Sequence, residues 1–364
     1  MKVFFHVQHL LGIGHLRRAA TLAQALRAEG FEVTLASGGM PVNGIPVLQL
    51  PPASSDAAFK QLLDERGLPV DDAWKARRRD ALLEAWRACR ADVLMIELFP
   101  FGRRQMRFEL LPLLEEAKAR APRPLVVCSA RDLIQWRPTR EAEMLDTFER
   151  YFDRLLVHGD PALARFNFGQ ADKLAGKLEY TGYVVNRIEK SHAGADEVLV
   201  SVGGGAVGRP ILEAALAARP LTSLRDHPWR LLAGINAPEE QLASLRSRAP
   251  SGVTVERARE DFTARLANCV LSVSQAGYNT VMETLAARAR AVVVPFAGGG
   301  EAEQTMRTRL LVARGLVEMV EEEALNGRSL AAAIERALAR RRPAPGDIDL
   351  DGAAATARLL RQWL

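Results

Sequence analysis

Short β-rich runs alternate along this chain with segments of helical period, and the alternation restarts once near the middle. Residues 2–7 form a continuous β-rich run, as expected of a strand buried on both faces. The turn 8–15 follows, then a helical pattern to about Glu29 stopped by Gly30. Residues 32–37 and 45–50 read as the next strands, the second closed by Pro51 and Pro52. Residues 56–66 and 71–90 show helical spacing. The strands 93–97, 125–129 and 154–157 then alternate with helices over 103–119 and 139–152. Beyond a weakly periodic stretch, 167–191, a second series opens with strands at 197–202, 229–233, 253–256, 269–273, 291–294 and 316–320. A helical pattern over 352–364 ends the chain. This rhythm predicts an α/β protein with doubly wound parallel sheets. The break predicts two Rossmann-like domains, 1–185 and 186–351, followed by the helix 352–364.

Size agrees, since 364 residues exceed what one hydrophobic core usually serves. With 48% hydrophobic and 26% charged residues the composition is that of a globular protein. No apolar run approaches the roughly 20 residues of a membrane span. The first residues lack a small-residue cleavage site and are interrupted by His6, Gln8 and His9, so they read as a strand rather than a signal peptide. Cys89, Cys128 and Cys269 lie far apart without metal spacing, as core residues of a reducing compartment do; a cytoplasmic location is expected. The net charge is +5 with a pI of about 9.3. The arginines are spread over amphipathic helices without interleaved aromatics, which points away from nucleic acid. Peripheral contact with an anionic membrane is left open, as is the oligomeric state.

In an open parallel sheet, ligands bind beyond the carboxyl ends of the strands, where helix N-termini offer N–H groups to anions. Three groups of residues are placed there. Gly203, Gly204 and Gly205 sit between a strand and a helix, where backbone N–H groups can approach a diphosphate; a plain tight turn is the competing reading. The stretch from Ser274 to Gln304 is a second glycine-and-polar cluster, with Thr280 in the first turn of a helix and Glu283 one turn later, suited to a ribose diol. His15 follows Gly12-x-Gly14 at a strand-to-helix turn, where an imidazole can act as a general base or serve as a structural cap. At the first domain's other sheet edge lie Glu97, Phe101, Arg103 and Arg131, which read either as an acceptor surface or as an arginine–carboxylate network bracing the loops. His6 and His9 read as structural. No DxD pattern ends a strand, so no metal and no cofactor is expected beyond a nucleotide sugar as co-substrate.

These motifs resemble the GT-B glycosyltransferases, family 28-like, in the branch of the peptidoglycan N-acetylglucosaminyltransferase and a bacterial group of predicted glycosyltransferases. The resemblance rests on Gly12-x-Gly14-His15-x-x-Arg18, the Glu97 to Arg104 segment, Ser201 to Gly205, Ser274-x-Ala276-Gly277-x-x-Thr280-x-x-Glu283, and Pro295 through Gln304. It implies a GT-B architecture: an acceptor domain, a donor domain, a central crevice between them, and a last helix crossing back to the first. By that resemblance Gly203, Gly204, Gly205, Ala276, Gly277 and Thr280 hold the donor diphosphate. Glu283, Arg259 and Phe262 bind ribose and base, Glu303 and Gln304 read the donor sugar, and Gly14, Glu97, Phe101, Arg103 and Arg131 lie on the acceptor side. The implied reaction is metal-independent transfer from a nucleoside diphosphate sugar, UDP-linked, with His15 as base, while domain closure excludes water. One departure, Gly298 to Gly300 in place of bulkier polar residues, blocks carrying over a sugar preference. The same His15 turn occurs in a related nucleotide-sugar hydrolase, which is the alternative.

Overall fold

The computed structural model describes residues 1–10, 12–56, 61–134, 138–186, 188, 191–202, 208–235, 237–296 and 303–364. The chain divides into two compact units, 1–184 with 349–364, and 185–348.

In the first unit the elements run β1 (Lys2–Val7), α1 (Gly14–Ala28), β2 (Glu32–Ser37), β3 (Leu48–Gln49), β4 (Ser54–Ser55), β5 (Leu62–Leu63), α2 (Asp72–Cys89), β6 (Val93–Glu97), α3 (Arg107–Ala119), β7 (Leu125–Arg131), α4 (Glu141–Tyr151), β8 (Arg154–His158) and β9 (Leu178–Tyr180). Seven strands form a parallel sheet in the order β3-β2-β1-β6-β7-β8-β9. Strand side chains alternate between two layers. Phe4, Leu94, Ile96 and Cys128 pack toward α2, α3 and α4, while Val3, Phe5, Met95 and Val127 pack toward α1.

The second unit runs β10 (Val198–Ser201), α5 (Arg209–Ala218), β11 (Trp229–Ala233), α6 (Glu239–Arg248), β12 (Val253–Arg257), α7 (Phe262–Asn268), β13 (Leu271–Gln275), α8 (Tyr278–Ala286), β14 (Ala291–Val294), α9 (Glu303–Ala313), β15 (Glu318–Met319) and α10 (Gly327–Ala339). Its six-stranded parallel sheet is ordered β12-β11-β10-β13-β14-β15. The chain then returns to the first unit. Tyr183 and Gly352 exchange backbone bonds with the 349–352 and 183 segments, and α11 (Gly352–Trp363) places Ala357 and Leu360 in the α1 layer.

Several sequence expectations are corrected. Residues 56–66 form no helix where they are described; β4 and β5 pair as an antiparallel hairpin instead. Local polar turns win there: Asp64 Oδ1 accepts the N–H groups of Arg66 and Leu68, and Asp56 Oδ1 that of Gln61. The strand expected over 45–50 shrinks to β3, because Pro46 has no N–H to give to the ladder and β3 lies at the sheet edge. The 316–320 strand is likewise a two-residue edge, and the 269–273 strand runs two residues further along, ending at Gln275.

Candidate active site

In each unit the chain winds outward from a central strand and then returns to that strand's other side. In the first unit this reversal falls between β1 and β6, and in the second between β10 and β13. Such switch points leave a crevice at the strand carboxyl ends. His15, one residue into α1, follows β1, and Glu97 is the last residue of β6. They meet there: His15 Nδ1 lies 2.6 Å from Glu97 Oε1. Arg18, one turn along the same helix, donates to the same oxygen at 2.5 Å, and Arg103 Nε stands 3.7 Å from Oε2. Arg103 is held in a left-handed backbone conformation, φ 57°, in the loop after β6, and Leu98 in the same loop has φ 66°.

Burial pushes the Glu97 carboxyl up, but the His15 hydrogen bond and the Arg18 and Arg103 guanidiniums outweigh it and hold the group well below the usual carboxylate range. For His15, burial lowers the imidazole below its ordinary value; Glu97 opposes this, and Arg103 and Arg131 reinforce it. The imidazole is therefore neutral at neutral pH. An acceptor-only carboxylate assigns its proton to Nδ1, which leaves the Nε2 lone pair to take a proton. The His15 side chain is 20% exposed, so that nitrogen is not sealed off.

Two acceptor-side assignments are corrected. Glu97 is buried and spends its carboxylate on His15, Arg18 and Arg103, which is the arginine–carboxylate network of the alternative reading. Phe101 lies in an aromatic cluster with Phe148, Phe166 and Phe168, at centroid distances of 5.7, 5.2 and 5.1 Å, and belongs to the core. Gly14 opens α1, and Arg131 ends β7 within electrostatic reach of His15 and Arg103. His6 and His9 are buried, His6 at 3.5 Å from Glu109 and His9 Nε2 at 3.0 Å from the Met40 carbonyl. Sequence reading gave no role to Arg18, although its spacing three residues after His15 puts both on one face of α1. It also passed over His158, whose buried ring lies 2.8 Å from Ser129 Oγ and 2.9 Å from Thr181 Oγ1.

In the second unit, β10 pairs with β13 so that Ser201 lies opposite Ser274 at the switch point. Gly203, Gly204 and Gly205 lie outside the described residues. Ala276 is corrected: its N–H donates to the Val294 carbonyl at 3.0 Å and is spent on the sheet. Gly277 is the N-cap of α8, whose first turn carries no acidic side chain and no side-chain cap. Thr280 stands in that first turn and Glu283 three residues on, both half-buried. Arg259 commits its guanidinium to Asp261 at 2.7 Å and to Glu256 at 3.2 Å, and Phe262 packs against the layer of Leu199 and Cys269. Both sit after β12, two strands or roughly 10 Å from β10. Glu303 pairs with Arg307 at 2.9 Å, and Gln304 Oε1 accepts the Phe296 N–H at 3.1 Å. Among the described residues, no group of three or more His, Cys, Asp or Glu side chains could hold a metal ion, and no helix is long and apolar enough to cross a membrane.

Residues 199–346 match the family model of the glycosyltransferase family 28 C-terminal domain. That stretch lies in the second unit, which is thus similar to the family 28 C-terminal domain. The chain is 29% identical over 146 residues to the UDP-N-acetylglucosamine–N-acetylmuramyl-(pentapeptide) pyrophosphoryl-undecaprenol N-acetylglucosamine transferase of Exiguobacterium sp., a stretch spanning 40% of this chain and 40% of that relative. Solved structures show the GT-B fold across the whole chain. Acinetobacter baumannii MurG has a TM-score of 0.62 at 14% identity over 99% of both chains. The glycotransferase of kitacinnamycin reaches 0.63 at 17% identity, over 100% of this chain and 99% of its own. The spinosyn rhamnosyltransferase SpnG in complex with thymidine diphosphate reaches 0.61 at 18%, over 99% and 95%.

Proposed function

We propose that this protein is a glycosyltransferase that moves a sugar from a nucleoside diphosphate sugar, UDP-linked, to a small nucleophilic acceptor without a metal. The observation that carries the reading is the His15–Glu97 pair, 2.6 Å apart at the switch point of a chain whose other unit is a family 28 domain. His15 Nε2 takes the proton of the acceptor nucleophile as that atom bonds to the anomeric carbon, and the bond from that carbon to the diphosphate oxygen breaks with its electron pair. Glu97 holds the imidazole in the tautomer this requires and stabilises the imidazolium that forms. The departing diphosphate meets the uncapped N-terminus of α8 at Gly277 and the Thr280 hydroxyl. Gly203, Gly204 and Gly205 are assigned to it from sequence alone. Glu283 takes the ribose hydroxyls, and Glu303 and Gln304 read the sugar. Arg103, Arg131 and Gly14 face the acceptor.

Support for a UDP donor comes from the UDP-N-acetylglucosamine named for the Exiguobacterium relative, while the thymidine diphosphate complex of SpnG makes dTDP the competing diphosphate. Calorimetry with UDP, dTDP and GDP tests the donor assignment. One diphosphate is expected to bind, about tenfold more weakly to Glu283→Gln because a ribose hydrogen bond to a charged group is lost, and equally well to His15→Ala. Binding that is indifferent to Glu283 contradicts the assignment.

A further inference from the structure

Arg307, in the second turn of α9, is 1% exposed yet carries a permanent charge, and none of the donor assignments uses it. Its guanidinium donates to Glu303 Oε1 at 2.9 Å and lies over the Tyr278 ring, 5.0 Å from the centroid. Glu303 is the first residue of α9 and Tyr278 the first of α8. One side chain therefore ties together the opening residues of two helices that start at the ligand edge of the sheet. Burying a guanidinium costs several kcal/mol unless it is well paired. Arginine's planar fork meets a carboxylate and an aromatic face at once, whereas a lysine ammonium meets the first as a point charge only. Beside it, Gln304 is oriented by the Phe296 N–H on the exit of β14.

We infer that Arg307 is a positioning residue for sugar discrimination, acting through Glu303 to fix where that carboxylate stands relative to α8. The inference rests on the donor reading above. It differs from a simple brace between two helices in what it moves. A brace supports every ligand of α8 alike, whereas a residue that acts through Glu303 alters the sugar and leaves the diphosphate alone.

The test is calorimetry of Arg307→Met, Glu303→Gln and the double variant with UDP, UDP-N-acetylglucosamine and UDP-glucose. The expected result is that Arg307→Met holds UDP within about threefold and weakens the better-bound UDP-sugar about tenfold, the size of one charged hydrogen bond. In the Glu303→Gln background the same substitution is expected to add nothing, since its route is already cut. Equal weakening of UDP and both UDP-sugars, or losses that add in the double variant, would overturn the inference. Should Arg307→Met fail to fold, Arg307→Lys carries the test. It is expected to keep UDP and to lose less discrimination than Glu303→Gln; parallel loss of UDP and UDP-sugars would overturn the inference there. Wild-type protein that binds none of the three probes refutes the donor reading and this inference together. Binding of UDP with unmoved discrimination refutes this inference alone.

Discussion

At the scale of single residues the Glu97 carboxylate matters most, because it fixes the orientation of the His15 ring, the base of the proposed reaction. Glu97→Gln keeps the shape of the side chain and removes the charge. Its amide no longer dictates the His15 tautomer, so turnover is expected to fall by about 10²-fold or more. Arg18 and Arg103 lose their shared counter-charge, which costs of order 3 kcal/mol in denaturant unfolding. The pH effect has a definite sign. Glu97 raises the His15 pKa against burial, so removing it lowers a value already below 6.5. An NMR titration of the His15 imidazole is expected to show its midpoint below 6.5 in the wild type and lower still in Glu97→Gln. A midpoint that rises in the variant contradicts the pairing.

At the scale of elements, His158 pins strands together. Thr181 Oγ1 donates to the Gly182 carbonyl, so it accepts from the ring Nδ1–H, and Nε2 accepts from Ser129 Oγ. The ring thus links the end of β8 to β7 on one side and to the segment after β9 on the other. Burial lowers its pKa to about 3. The unfolded chain protonates this group below about 6.5 while the folded chain does not, so stability is intact above that pH and lost as pH falls toward 3, at up to about 1.4 kcal/mol per pH unit. His158→Gln is expected to be less stable at pH 7 yet to show a shallower loss between pH 6.5 and 4 in urea unfolding; an unchanged slope contradicts the assignment. Elements also show what the sequence could convey. Hydrophobic period placed α1, α2, β6 and β11 well, because apolar patterns report burial directly. It misread 56–66, where side-chain bonds from Asp56 and Asp64 to nearby N–H groups set the turns, and it overran β3 past Pro46. Glu97 was singled out as an acceptor-surface or arginine-network residue but not as the partner of His15, since the two lie 82 residues apart and only the strand order brings them together. The Ala276 N–H was misassigned because its acceptor, Val294, sits on the neighbouring strand.

At the scale of the molecule, the same winding occurs twice: a parallel sheet that reverses at its central strand, with polar residues gathered at the carboxyl ends beside the reversal. The first copy carries His15 and Glu97, and the second carries Gly277, Thr280 and Glu283 on a family 28 domain. Helix α11, although it follows the second unit in sequence, is part of the first unit. The proposed reaction divides the labour between the two copies and predicts separable losses, chemistry from one unit and donor binding from the other. The most direct test is release of nucleoside diphosphate from UDP-, dTDP- and GDP-linked sugars with no acceptor added, measured for wild-type and His15→Ala protein beside binding. A glycosyltransferase is expected to bind one donor, to release diphosphate slowly in water, and to bind that donor unchanged after His15→Ala. Rapid release in water that depends on His15 would contradict transfer and make water the natural acceptor.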